Sequence, residues 1–289
     1  MRDGSGLCTH IQKKMRIGVD LGGTSIRAGL ADKGTLLRKE RLRCPSKGSC
    51  GEVLDAIEEV ISRVMHPGVE SVGIGVPSVV DTARGIVYNA ANIPSWKEVP
   101  LKDIMQERLG LEVNVNNDSN CFTLGESLFG KCRDCSDIVG LTIGTGVGSG
   151  IIINGRLYEG RNAGAGEIGS LPYLGKDFES WCSTPFFTAN GTTGAEAAEA
   201  AASGDAGAIA LWNEYGVHLG ELVKAILYIY DPEAIVIGGG LAAASGLYRD
   251  SLSRQLSSFA YPNSATSVRL LFADNTDMAL LGAASLKDK

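Results

Sequence analysis

Twice in this chain an apolar strand runs into a loop of glycine and threonine and returns as a second apolar strand. The first copy is IGVDLGGTSIRAGL, beginning at Ile17; the second is VGLTIGTGVGSGIII, ending at Ile153. Each carries one polar side chain near the end of its leading strand, Asp20 in the first and Thr142 in the second. The loop glycines Gly22 and Gly144 stand 122 residues apart, the difference of their numbers. One unit repeated at that distance predicts two related halves facing each other, each presenting loop N–H groups. Two such loops flanking one cleft would grip a polyphosphate from both sides. The same glycines also suit tight hairpins in a buried sheet, because glycine takes positive φ and lets backbones approach closely. From these segments alone both readings stand.

The rest of the chain supplies the class. RIGVDLG, SIRAGLA and TLLRKERLR read as consecutive strands. EVLDAIEEVISRVM repeats apolar residues at helical spacing (Val53, Ile57, Val60, Ile61, Val64) and stops at His66-Pro67. SVGIGVP and EVNVNND are further strands. DSNCFTLGESLFG is a helix, with Asn117 or Asp118 as its N-cap and Gly130 as a left-handed C-cap. DIVGLTIG and GSGIIING follow as strands. The remainder reads as mostly helical, with one strand, AIVIGGG, and a last helix from about Asp277 to Leu286. Hairpins followed by alternating helices and strands indicate an α/β protein. The first fourteen residues are polar and patternless, and are expected to form a mobile tail.

Composition excludes several functions. Of the 289 residues 44% are hydrophobic and 21% charged, which excludes disordered and collagen-like chains. A net charge of -6 with no Lys/Arg block argues against a nucleic-acid surface. The longest apolar run, around Leu211 to Tyr230, contains Glu214, Glu221 and Lys224, so no membrane span is expected. The N-terminal stretch lacks the apolar core of a secretion signal, and the odd count of seven cysteines suits reduced thiols. A cytoplasmic location is therefore expected.

Familiar motifs fail on inspection. GESLFGKC places Cys132 where a phosphate loop needs Ser or Thr, and it follows a helix instead of a strand. GTGVGSG has Ser149 where a dinucleotide fingerprint needs glycine. Cys132 and Cys135 make a single C-x-x-C without a second pair, so free thiols are expected. None of His10, His66 and His218 neighbours a nucleophile, which leaves general base work to carboxylates. Asp118 stands where a strand meets a helix, where a base can have a fixed direction and a free lone pair; simple N-capping is the plainer alternative. Glu167, in NAGAGEIG, lies among small residues that admit a ligand, and Glu179 follows another loop. Several carboxylates converging on one cleft suit the paired hydroxyls of a polyol.

Taken in order, DLGGTSIRAGL, GVPSVVD, NNDSNCFTLGE, LTIGTGVGSGIIINGRLYEG, AGEIG and IVIGGG resemble the ROK family of sugar kinases. The likeness runs through nearly everything from Met15 onward. It implies a two-lobed ribonuclease-H-like fold, as in actin and hexokinase, with residues 15–117 plus 276–289 as the small lobe and 118–275 as the large one. ATP and a sugar would meet in the cleft. The loop Gly22, Gly23, Thr24 would be the first phosphate loop, with Asp20 steering Mg²⁺. Gly144, Thr145 and Gly146 would belong to the second, and the turn Gly238, Gly239, Gly240 would pass the adenosine. Asn117 would orient the sugar and Asp118 would activate its primary hydroxyl, with Glu167 and Glu179 as sugar contacts. Two departures stand out. Ser170 replaces the histidine that in most members holds a structural zinc and touches the sugar, and the following stretch keeps only Cys182, so no structural zinc is expected. Ser78 stands where glycine is usual. The expected activity is phosphorylation of a hexose or N-acylhexosamine by ATP. The family also contains transcriptional repressors with a helix-turn-helix ahead of the DLGGT motif; nineteen residues precede Asp20 here, so a repressor is not expected. A sugar-binding protein that has lost catalysis is the remaining alternative. Dimers are common in the family.

Overall fold

The computed structural model describes residues 15–90 and 92–287, so the expected N-terminal tail and His10 lie outside the described residues. Strands β1 (Met15–Leu21), β2 (Ser25–Asp32) and β3 (Thr35–Arg43) form an antiparallel meander, and helix α1 (Cys50–Val64) packs on it. Ser49 caps α1 in a reciprocal capping box with Glu52, a signal the apolar pattern alone did not reveal. Its buried residues, among them Val53, Ile57, Val60, Ile61 and Val64, are those the helical spacing singled out.

Strand β4 (Val69–Val76) adds in parallel to β1. Three short strands, β5 (Val79–Asp81), β6 (Ile86–Tyr88) and β7 (Glu98–Pro100), make a small separate sheet that the sequence reading missed. Helix α2 (Leu101–Leu109), also missed, leads into β8 (Glu112–Asn117), and the first sheet has the order β3-β2-β1-β4-β8. Helix α3 (Asp118–Leu128) follows without a linker. Gly130 is not a left-handed cap: it is absent from the positive-φ residues. It is small because a Cβ there would come within 2.0 Å of Glu126 Oε2. Glu126 is buried and accepts the Lys131 N–H at 2.9 Å, which ties down the chain after the helix.

The second sheet repeats the opening of the first. Strands β9 (Ile138–Ile143) and β10 (Val147–Ile153) form a hairpin, extended by β11 (Arg156–Leu157). A two-stranded ribbon, β12 (Pro172–Tyr173) and β13 (Lys176–Asp177), precedes the helices α4 (Phe178–Cys182), α5 (Thr184–Ala189), α6 (Gly194–Ala202) and α7 (Ala206–Tyr230). Strand β14 (Ala234–Gly238) pairs in parallel with β9. Helices α8 (Ser245–Leu256) and α9 (Pro262–Ser267) lead to β15 (Arg269–Phe272), a second strand where the sequence reading found only one. The sheet order is β11-β10-β9-β14-β15.

The last helix, α10 (Met278–Ala284), returns to the first sheet and crosses α3. The crossing is close enough to demand glycines. A Cβ on Gly18 would lie 1.9 Å from the Leu280 carbonyl oxygen, one on Gly73 1.8 Å from that of Ala283, and one on Gly125 2.0 Å from that of Met278. These backbone contacts seat α10 on β1 and β4 and α3 on α10, which fixes α3 and its first residue relative to the sheet. The two sheets carry separate apolar cores, one around Ile17, Val19 and Ile74 and the other around Leu141, Leu222 and Ile237.

Candidate active site

Asp118 is placed by the strand-to-helix junction. Asn117 is the N-cap: its Oδ1 accepts from the N–H groups of Ser119 at 2.9 Å and Asn120 at 3.1 Å, satisfying two of the helix's orphan donors. Its Nδ2 donates to the Ser78 carbonyl at 3.3 Å. Asp118 itself does not cap. Its Oδ1 accepts from the Ser119 N–H at 2.7 Å and the Ser119 hydroxyl at 3.2 Å, while Oδ2 has no hydrogen-bond partner among the described residues. The Ser119 hydroxyl also meets Thr142 Oγ1 at 2.7 Å, so the polar residue of the second repeat touches the helix that carries Asp118.

The carboxyl of Asp118 is pushed up to about 7. Burial is the main cause and the charge of Asp20 the next; hydrogen bonds from Ser119 oppose them, and Glu167 adds a smaller push upward. The side chain nevertheless remains partly open to solvent. A carboxylate held in one direction, with one unengaged oxygen and a proton affinity near neutrality, is equipped to take a proton from a hydroxyl.

Asp20 lies directly opposite Arg27 in the β1–β2 register. Arg27 donates to Asp20 Oδ2 from Nε at 3.0 Å and Nη2 at 2.7 Å, and from Nη1 to the Thr276 carbonyl at 3.0 Å. The pair leaves Asp20 Oδ1 for another ligand. Sequence reasoning missed Arg27, although the cross-strand register of a hairpin with loop residues 22–24 puts it there.

Of the first loop, Gly22 donates to the Ser25 carbonyl at 2.9 Å, Gly23 lies against Asn92, and Thr24 is exposed. In the second, Gly144 donates to the Gly146 carbonyl at 3.0 Å, and its own carbonyl accepts from Thr184 N–H and Oγ1, both at 2.8 Å. Thr145 is exposed. The third turn adjoins the second loop: the nearest atom to a Cβ on Gly144 would be Gly240 N, at 3.9 Å. Gly239 has φ +91°, and a Cβ on it would meet the Ile143 carbonyl oxygen at 2.3 Å, so only glycine fits. Gly238 serves packing instead, with a Cβ there 2.5 Å from Phe122. Beside Gly240 and Leu241 opens an apolar cleft of about 490 Å³, walled also by Ala198, Trp212 and Leu247.

Glu167 precedes a single 3₁₀ turn, Ile168–Ser170, and its carboxyl is raised by burial and then by Glu179. Although its residue surface is largely open, the carboxyl sits close enough to its neighbours for both effects to act. Glu179, in the first turn of α4, accepts the Val147 N–H at 3.0 Å and lies against Gly146, where a Cβ would come within 2.5 Å of its Oε2. It therefore stands between Glu167 and the second glycine loop. Ser170 faces solvent, and among the described residues no side-chain hydrogen bond joins it to either glutamate.

A profile of the ROK family matches residues 16–188 and 174–289. The chain belongs to the ROK family. It is 30% identical to a glucokinase of Thermotoga maritima over 93% of this chain and 96% of that protein. It is 33% identical to an N-acetyl-D-glucosamine kinase of Escherichia coli over 79% of this chain and 84% of that one. A ROK family glucokinase from Streptomyces griseus, solved in complex with glucose and AMPPNP, superposes with a TM-score of 0.82 at 29% identity, covering 93% of this chain and 98% of that one. The two-lobed α/β fold is that of the ROK and actin–hexokinase group.

Around Cys182 this ROK protein is built from apolar and aromatic side chains. That cysteine is buried in α4, and its carbonyl accepts the Tyr215 hydroxyl at 2.9 Å. Among the described residues no group of three or more His, Cys, Asp or Glu could hold a metal ion. Aromatic rings fill the region. Tyr173 stacks on Phe178 at 4.4 Å, and Trp181 and Phe186 flank His218 at 4.6 and 5.6 Å. His218 is buried, shares a hydrogen bond with the Tyr173 hydroxyl at 3.1 Å, and burial pulls its pKa down. Leu171 and Trp181 pack against the same core. Cys132 and Cys135 are both free thiols.

Proposed function

We propose that the chain is an ATP-dependent sugar kinase that phosphorylates the primary hydroxyl of a hexose or N-acylhexosamine. The observation that carries the proposal is Asp118: one carboxyl oxygen pinned by Ser119, the other unengaged, and a pKa raised to about 7 at the start of a helix fixed by backbone contact. The names of its relatives support the substrate class.

In this reading Asp118 Oδ2 accepts the proton of the sugar hydroxyl as that oxygen attacks the γ-phosphorus. Asn117, Glu167 and Glu179 surround the sugar. Ser170 occupies the place of a missing imidazole, which makes it a determinant of which sugar binds. The loops at Gly22–Thr24 and Gly144–Gly146 face the phosphates from opposite lobes with the N–H groups of Gly23, Thr24, Thr145 and Gly146, those of Gly22 and Gly144 being bonded within the loops. The apolar cleft beside Gly240 accommodates the adenine. The lobes divide as residues 15–117 with 276–289 against 118–275, a division supported by the seat of α10 on β1 and β4.

Mg²⁺ suits the donor set. It takes hard oxygen ligands and is commonly held by one or two carboxylates together with substrate phosphates. Asp20 Oδ1, left available by Arg27, is such a donor, and the repulsion between Asp20 and Asp118 is the kind a nearby cation relieves. Held there, Mg²⁺ would supply positive charge to offset the negative charge on the transferring phosphate. The test is ADP release from the purified protein with ATP, Mg²⁺ and a panel of hexoses and N-acetylated hexosamines. Saturable sugar binding with no sugar-dependent ADP release would overturn the kinase and leave a binding protein.

A further inference from the structure

Glu159 is a buried carboxylate in the segment that leads from β11 to Glu167, and both its oxygens accept hydrogen bonds from the first lobe. Asn116 Nδ2 donates to Oε1 at 2.7 Å and Thr82 Oγ1 to Oε2 at 3.1 Å. Asn116, the last buried residue of β8, passes the connection on. Its Oδ1 accepts from the Asn117 N–H at 2.8 Å and from Asn120 Nδ2 at 3.0 Å. Asn117 caps the helix at Ser119 and Asn120, and Ser119 holds Asp118 Oδ1. On its other side the carbonyl of Glu159 accepts the Ala165 N–H at 3.2 Å, closing the loop that presents Glu167. One buried residue is thus bonded toward the base through its side chain and toward the sugar-facing glutamate through its backbone carbonyl.

We infer that Glu159 is a positioning residue that holds Asp118 and the Glu167 loop in one geometry, acting through Asn116. The inference rests on Asp118 being the catalytic base. A buried hydrogen-bonded network is stiff, and leaving Glu159 or Asn116 unpaired within it is costly; its open end is Asn120 Oδ1, buried with no partner among the described residues. A misplacement of the base by a fraction of an ångström acts on kcat before it acts on folding or nucleotide binding.

The test exploits donor and acceptor polarity. Asn116→Asp sets a second carboxylate against Glu159; adding Glu159→Gln restores the bond between positions 116 and 159 in reversed sense, with the glutamine amide donating to Asp, while its carbonyl still accepts from Thr82. We expect Asn116→Asp to lower kcat about tenfold or more with the KM for ATP unchanged, and the double variant to recover to within about threefold of the starting enzyme. Glu159→Asp, a methylene too short to reach both partners, should lower kcat about threefold to tenfold and serves if Asn116→Asp does not fold. A fall in Tm with kcat unchanged in the folded enzyme, or a folded double variant without recovery, overturns the inference. If the unaltered protein turns over no sugar, the kinase reading fails separately. The network is then read from amide exchange at Ser119 and Asn120, faster in Asn116→Asp and slowed again in the double variant; equal rates throughout overturn it.

Discussion

Replacing Asp118 by Asn should destroy activity and stabilise the protein at once. Ionised Asp118 is costly to the folded state because it is desolvated and faces Asp20. Its pKa rises from 3.8 to about 7, so the folded form holds the proton more tightly than the unfolded chain. At about 1.4 kcal/mol per pKa unit, the charged carboxylate costs up to about 4 kcal/mol above pH 7, and partial access to water makes this an upper figure. Below about pH 4 the carboxyl is protonated in both states and that cost vanishes, so its contribution to stability improves as pH falls from 7 toward 4. Asparagine carries no such cost at any pH. Thermal unfolding without Mg²⁺ or nucleotide should therefore show Asp118→Asn raised by about 5 °C at pH 8. That advantage should shrink steadily toward pH 5. In the kinase assay the same variant should lose at least about 10²-fold in kcat, with nucleotide affinity nearly unchanged. For the unaltered enzyme kcat/KM should fall on the acid side with an apparent pKa near the same value of about 7, since the base must be ionised. A variant no more stable at pH 8 than its parent would refute the electrostatic account, and one keeping most of its activity would refute the base.

The second loop offers a sterically clean probe. Nothing stands closer than 3.9 Å to a Cβ on Gly144, so Gly144→Ala should keep its Tm while weakening nucleotide binding, measured by calorimetry, more than sugar binding. Gly146→Val instead drives into Glu179 and should weaken both ligands, with the larger loss for nucleotide. The protein should contain no stoichiometric zinc by elemental analysis, and a chelator should leave the Tm of the free protein unchanged; one zinc per chain, lost together with activity, would point back to Cys132 and Cys135. His218, its pKa lowered chiefly by burial against the opposing pull of Glu214 and Glu221, binds a proton less readily in the folded state than in the unfolded chain, so stability is lost as pH falls below about 6.5. His218→Phe should flatten the decline in Tm between pH 7.5 and 5.5, and an unchanged slope would remove His218 from that account.

What could be read from the sequence follows from how local each cause is. The hairpins, α1 and the seat of Asp118 were legible because a period of two, a period of 3.6 and a strand-to-helix junction are each written in adjacent residues. The three-residue strands β5, β6 and β7 were not, since such segments carry too little alternation to stand out from a loop. Gly130 was read as a cap because its own neighbours suggest one, whereas its cause is the Glu126 carboxylate folding back over it. Asp20 drew attention through its motif, but Arg27, which decides how much of its carboxylate is available, follows only from pairing one strand with the next. Glu159 lies beyond even that reach: its partners Thr82 and Asn116 are 77 and 43 residues away, and nothing in LYEG distinguishes it from an exposed loop glutamate. Residues that face a ligand announce themselves by type and setting, because the chemistry limits what can stand there. Residues that aim them are chosen by whatever the fold brings alongside, so variants such as Asn116→Asp test a part of the site that motif reading does not reach.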